Sequence, residues 1–392
     1  MPVAPPPLDE TLRARAEGIV LDDAAKSRFS RHLLLPEVGV VGQARLSASR
    51  VLVVGAGGLG CPIALYLAAA GVGTLGLVDA DVVDTTNLQR QVLYVDADRG
   101  RSKVVCASER LRALAPSLVL DLHDARVDAG NVRALVDAYD VIVDGTDSFD
   151  TRYLLSDACA LAHKPYVYGA IHRFDGQAAV FYPPHGPCYR CLFPTPPAPE
   201  DAPSCAEAGV LGVLPGLVGT IQATETLKLL LGRGHVLLDR LLVIDALAMR
   251  FLELRVERNP ACALCGDAAT ITEARPIGAG CDSGPPPSVP RVDARQLHAW
   301  RMEGTPHGLV DVRTPNEAAI ASISGSTNIP MAEVDARAHD LPRDRPIVVY
   351  CKSGARSARA TRWLRDRGLD ARSLDGGILA WIDAFDPQLP RY

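Results

Sequence analysis

The chain has 392 residues, of which 48% are hydrophobic and 22% are charged, and its formal net charge is -5. This composition is typical of a soluble protein, and the length exceeds what one hydrophobic core usually organises, so we expect two domains. The charge and the lack of clustered Lys and Arg argue against nucleic acid or a membrane as a partner. The N-terminus lacks the pattern of a secretory signal, which predicts a cytoplasmic protein.

A glycine-rich turn follows the first apolar segment. Residues 51–54 are β-branched or aliphatic and favour a strand, and residues 61–70 favour a helix. The glycines between them are Gly55, Gly57, Gly58 and Gly60. A turn of this kind lets the backbone approach a phosphate at a helix N-terminus, so it predicts a nucleotide site.

Strands and helices alternate after this turn. Apolar strands are predicted over 75–79 and 141–144, with helices near 103–114 and 130–138. The alternation predicts an α/β fold with a doubly wound parallel sheet, as in Rossmann-like nucleotide-binding domains.

Proline and glycine mark two interruptions of this pattern. Residues 183–203 are rich in proline and are predicted to form an exposed loop. A second cluster, over 273–291, is predicted to be a linker between a first domain, 1–272, and a second, 292–392. The second domain is predicted to be a small α/β unit with strands over 308–312 and 346–350.

Charged groups after the glycine turn indicate which nucleotide is bound. Asp79 ends a strand, where its carboxylate can accept hydrogen bonds from a ribose. Arg90 and Lys103 are suited to hold phosphates, and Asp147 is suited to hold Mg²⁺. A hydride-transfer enzyme needs none of these groups, so the pattern favours ATP. The structural alternatives are a solvated surface position for Arg90 and a strand-end cap for Asp147.

Several motifs resemble one known family. The segments GAGGLGCP, VDADVVDTTNLQRQ, GTDSFDTRY and SCAEAGVLG are similar to those of the MoeB/ThiF group of ubiquitin-activating-like adenylyltransferases. The resemblance covers nearly all of the first 270 residues and implies nucleotide contacts beyond the glycines. These are Asp79, Thr86, Asn87, Leu88, Gln89, Arg90, Gln91, Lys103, Asp147 and Ser148. The family commonly has Asn where this chain has Ser148.

The same resemblance implies a homodimer. Arg31, within the segment RFSRHL, matches the N-terminal arginine that such enzymes insert into the active site of the partner subunit. Arg31 is therefore expected to act on a nucleotide bound by the other copy.

Two pairs of cysteines have the spacing of metal ligands. Cys188 and Cys191 form one Cys-x-x-Cys turn, and Cys262 and Cys265 form another. Four thiolates at one point favour a closed, structural Zn²⁺ site. The alternative is a redox dithiol, but a thioredoxin-like motif would be single and would open a helix.

Cys205 belongs to neither pair. A small buried cysteine is one interpretation of this position. The family resemblance implies the other, because related enzymes use a cysteine here for a covalent bond to the activated carrier.

The second domain carries a cysteine in a short loop. Cys351 follows a predicted strand, and a helix is predicted from Ser357, so backbone N–H groups can converge on its sulfur and stabilise a thiolate or persulfide. The loop and its last residue, Arg356, resemble those of rhodanese sulfurtransferases, over roughly 292–390. A phosphatase loop would place five residues between cysteine and arginine, whereas this one has four. Lys352 and the segment 321–323 depart from the usual rhodanese pattern.

Together these features predict an enzyme of two activities. We expect ATP-dependent adenylylation of the C-terminal glycine of a small ubiquitin-like sulfur carrier ending in Gly-Gly, followed by sulfur transfer from a Cys351 persulfide. The donor would be a persulfide source such as a cysteine desulfurase or thiosulfate, and Cys205 would resolve the acyl disulfide. Carriers for molybdopterin, thiamine, tRNA thiolation, cysteine or siderophore synthesis all suit this chemistry. The rival predictions are a conjugating enzyme with a thioester on Cys205, and a nucleotide- and zinc-binding redox regulator without catalysis.

Overall fold

The computed structural model describes Leu8 and residues 10–197, 209–276 and 289–391. The chain divides into two units, one before and one after position 281. Each is built on a sheet that contains parallel strands covered by helices, which confirms the predicted α/β class. The exact linker bounds, 273–291, stay a prediction. In these described ranges, none of the helices has both the length and the apolar composition needed to span a bilayer.

The first unit contains an eight-stranded sheet with the strand order β3-β2-β1-β4-β5-β6-β7-β8. The first five strands of that order are parallel and the last three are antiparallel. The strands are β1 Arg50–Val54, β2 Thr74–Val78, β3 Val119–His123, β4 Val141–Asp144, β5 Tyr166–His172, β6 Asp175–Phe181, β7 Arg240–Asp245 and β8 Arg250–Arg255.

Helices cover this sheet on both faces. They are α1 Glu10–Glu17, α2 Asp23–Arg28, α3 Ser30–Leu33, α4 Gly39–Ala48, α5 Gly60–Ala70, α6 Lys103–Leu114, α7 Val132–Asp137, α8 Phe149–Leu161, α9 Tyr189–Leu192 and α10 Leu214–Leu231. Strand β1 shows why both faces are covered: Val51 and Val53 belong to one hydrophobic cluster and Leu52 and Val54 to another. A strand that is apolar on both faces needs a helical layer on each side.

The proline-rich segment differs from its prediction as an exposed loop. Part of it forms the short helix α9, and Cys188 and Tyr189 are each only 1% exposed. The Tyr189 ring lies 5.0 Å from that of Tyr153 on α8 and 5.4 Å from that of Tyr168 on β5. The segment is held down because its tyrosine fills an aromatic cluster, a contact that local proline content does not reveal. Residues 198–203 lie outside the described part.

The second unit has a five-stranded parallel sheet with the order β11-β10-β12-β13-β9. Its strands are β9 Arg291–Val292, β10 Gly308–Asp311, β11 Thr327–Asn328, β12 Ile347–Tyr350 and β13 Ala371–Leu374. Its helices are α11 Ala294–Glu303, α12 Pro315–Ile320, α13 Val334–Arg337, α14 Ala355–Asp366 and α15 Gly377–Phe385. The central strand β12 is buried throughout and leads directly to Cys351.

Candidate active sites

The glycine turn lies where the strand order of the first sheet reverses. Strands β2 and β4 flank β1, and such a reversal opens a crevice at the carboxyl ends of the strands. Gly55 has φ +90°, and a Cβ atom there would lie 2.7 Å from the carbonyl oxygen of Gly145. Only glycine allows both the left-handed backbone and this close approach of the loops after β1 and β4.

Asp79 fixes the turn from the next strand. Its carboxylate accepts hydrogen bonds from the backbone N–H of Ala56 and of Asp81, both at 2.8 Å. Burial raises the pKa of Asp79, although the Lys103 charge and the two amides oppose that rise. The Asp79 carboxylate, which is predicted to bind a ribose, therefore holds the backbone on both sides of the crevice.

A cavity of about 1120 Å³ opens at this crevice, which is large enough for a nucleotide. Ten of the residues predicted to bind the nucleotide line it. They are Gly55, Gly57, Gly58, Asp79, Asn87, Arg90, Gln91, Lys103, Asp147 and Ser148. The structure does not bring Gly60, Thr86, Leu88 or Gln89 into that lining.

The two side chains predicted to bind phosphates have different hydrogen-bond partners in the structure. Lys103 is 4% exposed, and its Nζ donates to Asp81 Oδ2 at 3.0 Å. Arg90 Nη1 donates to the carbonyl oxygen of Thr86 at 3.0 Å. Both face the cavity, and a phosphate would compete with Asp81 for the Lys103 ammonium.

Asp147 lies in the loop between β4 and α8. It is exposed at the cavity, and within the described ranges its side chain has no hydrogen bond or ion pair. The next residue, Ser148, is the N-cap of α8, where its Oγ accepts from the N–H of Thr151 at 3.4 Å. An oxygen ligand without a partner beside a phosphate-binding turn is suited to a hydrated Mg²⁺.

A buried arginine beneath Asp147 was missed by the sequence analysis. Arg152 is 5% exposed, and its guanidinium donates to Asp144 Oδ2 at 3.2 Å and to the carbonyl oxygen of Thr146 at 3.0 Å. It also lies over the rings of Phe149 and Tyr168, at 5.3 and 5.2 Å from their centroids. A possible signal was an arginine on the apolar, buried face of a helix, since such a charge needs a partner there.

The four paired cysteines meet at one point, as predicted. Their sulfur atoms all lie within 4.8 Å of one another, and the separations include 3.5 Å from Cys188 to Cys262 and 3.3 Å from Cys191 to Cys265. Zinc–sulfur bonds of about 2.3 Å give a tetrahedron with edges of about 3.8 Å, so the donor set fits such an ion. The hydrogen bond with Cys188 lowers the pKa of Cys191 to about 5, while the same contact raises that of Cys188.

This cluster is tied to the helix that follows Asp147. Arg190 lies between the first two cysteines, and its Nε and Nη2 donate to the two oxygens of Asp157 on α8, at 2.7 and 2.8 Å. Asp157 is 1% exposed, so the pair is a bidentate anchor inside the first unit.

The Cys351 loop begins at the carboxyl end of β12. The backbone N–H of Gly354 lies 3.1 Å from the Cys351 sulfur, and Gly354 has φ +107°. The first N–H groups of α15 bind the outer side of the loop: Ile378 donates to the carbonyl oxygen of Cys351 at 2.8 Å, and Leu379 to that of Lys352 at 3.2 Å. Because these carbonyls point to α15, the opposite side of the loop is left for N–H groups that stabilise an anion.

Three predicted residues remain, one at the end of the Cys351 loop, one on α3 and one outside the described ranges. Arg356 forms an ion pair with Glu317. Arg31 is exposed on α3 and is not among the residues that line the nucleotide cavity of its own chain. Cys205 lies outside the described residues.

Comparisons with known proteins match both units. The model of the ThiF family matches residues 29–264, and that of the rhodanese-like domain matches residues 293–384. A protein of Mycobacterium tuberculosis, named "Probable adenylyltransferase/sulfurtransferase MoeZ", is 43% identical over 99% of both chains. The mouse (Mus musculus) "Adenylyltransferase and sulfurtransferase MOCS3" is 38% identical, over 100% of this chain and 91% of its own length.

Solved structures agree on the fold. The crystal structure of E. coli MccB with AMPCPP and MccA has a TM-score of 0.55 and 19% identity over 65% of this chain and 77% of that one. From the family models and the full-length relatives, the chain belongs to the ThiF family and is one of its members with a C-terminal rhodanese-like domain, the adenylyltransferase/sulfurtransferases.

Proposed function

We propose that the chain uses ATP and Mg²⁺ to adenylylate the C-terminal glycine of a small ubiquitin-like sulfur carrier, and then replaces the adenylate with sulfur from Cys351. The observation that carries this proposal is that one cavity combines the glycine turn, two cations and the Asp147 carboxylate, which has no partner among the described residues. Full-length relatives whose names state both activities support it.

In the first step the terminal carboxylate of the carrier attacks the α-phosphorus of ATP, and pyrophosphate leaves. Arg90 and Lys103 hold the phosphates and offset their charge. Asp147 would hold Mg²⁺, which when bound supplies further neutralisation of the phosphates. The product is an acyl-adenylate, in which the poor leaving group of a carboxylate has become AMP.

In the second step a persulfide on Cys351 attacks the acyl carbon and AMP leaves, which gives an acyl disulfide. Attack by the Cys205 thiolate on the Cys351 sulfur then releases the carrier thiocarboxylate and leaves a disulfide between the two cysteines. An external dithiol reduces that disulfide and completes the cycle. The persulfide comes from a donor such as a cysteine desulfurase or thiosulfate.

We further propose that the four cysteines bind Zn²⁺ and that the chain acts as a homodimer. Four thiolates without an open coordination position favour a structural ion. Arg31 would serve the partner's cavity, which accords with its exposure and with its absence from the lining of its own.

The test is ATP–pyrophosphate exchange with recombinant carriers that end in Gly-Gly, followed by mass spectrometry of the carrier. The wild-type chain should give exchange and, with a persulfide donor, replacement of one terminal oxygen by sulfur. Cys351→Ala should keep exchange and lose sulfur delivery, while Cys159→Ala, a buried cysteine outside both sites, should keep both. Exchange with none of the carriers would refute the proposal.

A further inference from the structure

Arg356, at the start of α14 where the Cys351 loop ends, is engaged by a carboxylate from another element. Arg356 Nη1 and Nη2 donate to the two oxygens of Glu317, on α12, at 2.8 and 2.7 Å. The two side chains are 21% and 10% exposed. A bidentate pair with this little exposure is stronger and less screened by salt than a surface pair.

Glu317 is itself held in place on three sides. The N–H and the hydroxyl of Thr314 donate to Glu317 Oε2 at 3.0 and 3.1 Å, as part of a capping box at the start of α12. The fully buried Arg313 donates to the backbone carbonyl of Glu317 at 3.3 Å and is paired with Asp311. The Glu317 carboxylate is therefore already held in the orientation in which it binds Arg356.

The pair carries no net charge near neutral pH. Burial favours the protonated form of Glu317, but the hydrogen bonds from Arg356 and Thr314 outweigh it and lower the pKa of Glu317 below its ordinary value. Arg356 is always protonated. A loop that would otherwise present an arginine charge beside Cys351 thus presents a neutralised one.

We propose that Glu317 is a specificity-determining residue for the sulfur donor. By neutralising Arg356 it disfavours small dianionic donors such as thiosulfate, and it favours donors with a smaller net negative charge, such as a protein or cysteine persulfide. This inference rests on the proposed role of Cys351 as the sulfur carrier.

The chemistry is the same for both donors. The Cys351 thiolate attacks the outer sulfur of the donor, the sulfur–sulfur bond of the donor breaks, and the leaving group departs as sulfite from thiosulfate or as a thiolate from a persulfide. Cyanide then takes the sulfur as thiocyanate and regenerates the thiolate. Only the charge that approaches the loop differs, so the ratio of the two donors isolates the effect of Glu317.

The experiment uses the full chain and compares kcat/KM for thiosulfate and for cysteine persulfide, with cyanide as acceptor. Glu317→Gln keeps a side-chain carbonyl for the capping box and removes the charge. Thiosulfate kcat/KM should rise by about tenfold relative to cysteine persulfide, the order expected when one unit charge within roughly 10 Å acts on a dianion at intermediate dielectric.

Arg356→Gln should change the ratio of the two kcat/KM values in the opposite direction. It leaves the Glu317 charge uncompensated, so the relative kcat/KM for thiosulfate should fall, and the double variant should return close to the wild-type ratio. Glu333→Gln, an exposed glutamate of the same unit that pairs with Arg337, is the matched control and should leave the ratio unchanged.

An unchanged ratio in both Glu317→Gln and Arg356→Gln would overturn the inference, as would an equal change in Glu333→Gln. Failure of the proposed function looks different: the wild-type chain would transfer no sulfur from either donor, or Cys351→Ala would transfer it as well as the wild type does.

Discussion

Arg152 and Asp144 form a buried ion pair directly beneath the loop that carries Asp147. The guanidinium nitrogen lies 3.2 Å from the carboxylate oxygen, and the two side chains are 6% and 0% exposed. Asp144 also accepts from the hydroxyl of Tyr166 at 2.6 Å and from the N–H of Thr146 at 2.8 Å. The pair thus joins the carboxyl end of β4, which precedes Asp147 in the chain, to α8, which follows it.

Arg152→Met should destabilise the first unit and reduce adenylation. Removing one partner of a buried pair leaves an uncompensated charge, which costs on the order of 3 kcal/mol. Urea unfolding followed by circular dichroism should show this loss. The midpoint of the urea transition followed by tryptophan fluorescence should not shift, because Trp300, Trp363 and Trp381 all lie in the second unit.

The control for this variant is Arg133→Met. Arg133 pairs with Asp137 on α7, where the side chains are 62% and 48% exposed, and an exposed pair contributes less than about 1 kcal/mol. Equal stability losses in the two variants would contradict a structural role for the buried pair.

Asp147→Asn should lower ATP–pyrophosphate exchange by at least about 100-fold, the usual effect of removing one group that stabilises transition-state charge. The fold should be unaffected, because within the described ranges this side chain has no partner to lose. Sulfur transfer from thiosulfate to cyanide, measured on the same sample, should persist. Asp137→Asn, an exposed carboxylate at the end of α7 that does not line the cavity, should retain exchange. Normal exchange in Asp147→Asn would remove this residue from the site.

Cys262→Ser should remove bound zinc and lower the melting temperature of the first unit. Its sulfur lies 3.5 Å from that of Cys188, and loss of one thiolate opens the tetrahedron. Elemental analysis should give one zinc per chain for the wild type and much less for the variant. Cys106→Ser makes the same substitution at a buried cysteine outside the cluster and should retain zinc. A wild-type chain purified without zinc, and not stabilised by added zinc, would refute the assignment.

The Glu317–Arg356 pair predicts a pH dependence of stability in the second unit. The folded pKa of Glu317 lies below its ordinary value of 4.5, so ionised Glu317 stabilises the fold above that value. The free energy of unfolding of the wild type should exceed that of Glu317→Gln by about 1–3 kcal/mol near neutral pH. The difference should be lost as the pH falls through the lowered pKa. Urea unfolding followed by tryptophan fluorescence at several pH values measures this, and a difference independent of pH would contradict it.

Local patterns in the sequence were enough to predict the elements that hold the chemistry. The strand at 51–54, the glycine turn, the helix that follows it and the Cys351 loop depend on backbone preferences and on short apolar runs. The Cys-x-x-Cys turns likewise predicted a four-thiol cluster, because the spacing of metal ligands is a local property. The roles of Arg31, Asp147 and Cys205 stay predictions.

Only the tertiary structure decided the contacts between residues far apart in the chain. The Arg190–Asp157 pair and the approach of Gly55 to Gly145 each join two segments that are distant in the chain. The sequence of either segment does not indicate which other segment it contacts. The Glu317–Arg356 pair spans 39 residues. The physical reason is that charge pairing and close packing depend on distance in space, whereas sequence patterns report only what neighbours along the chain prefer.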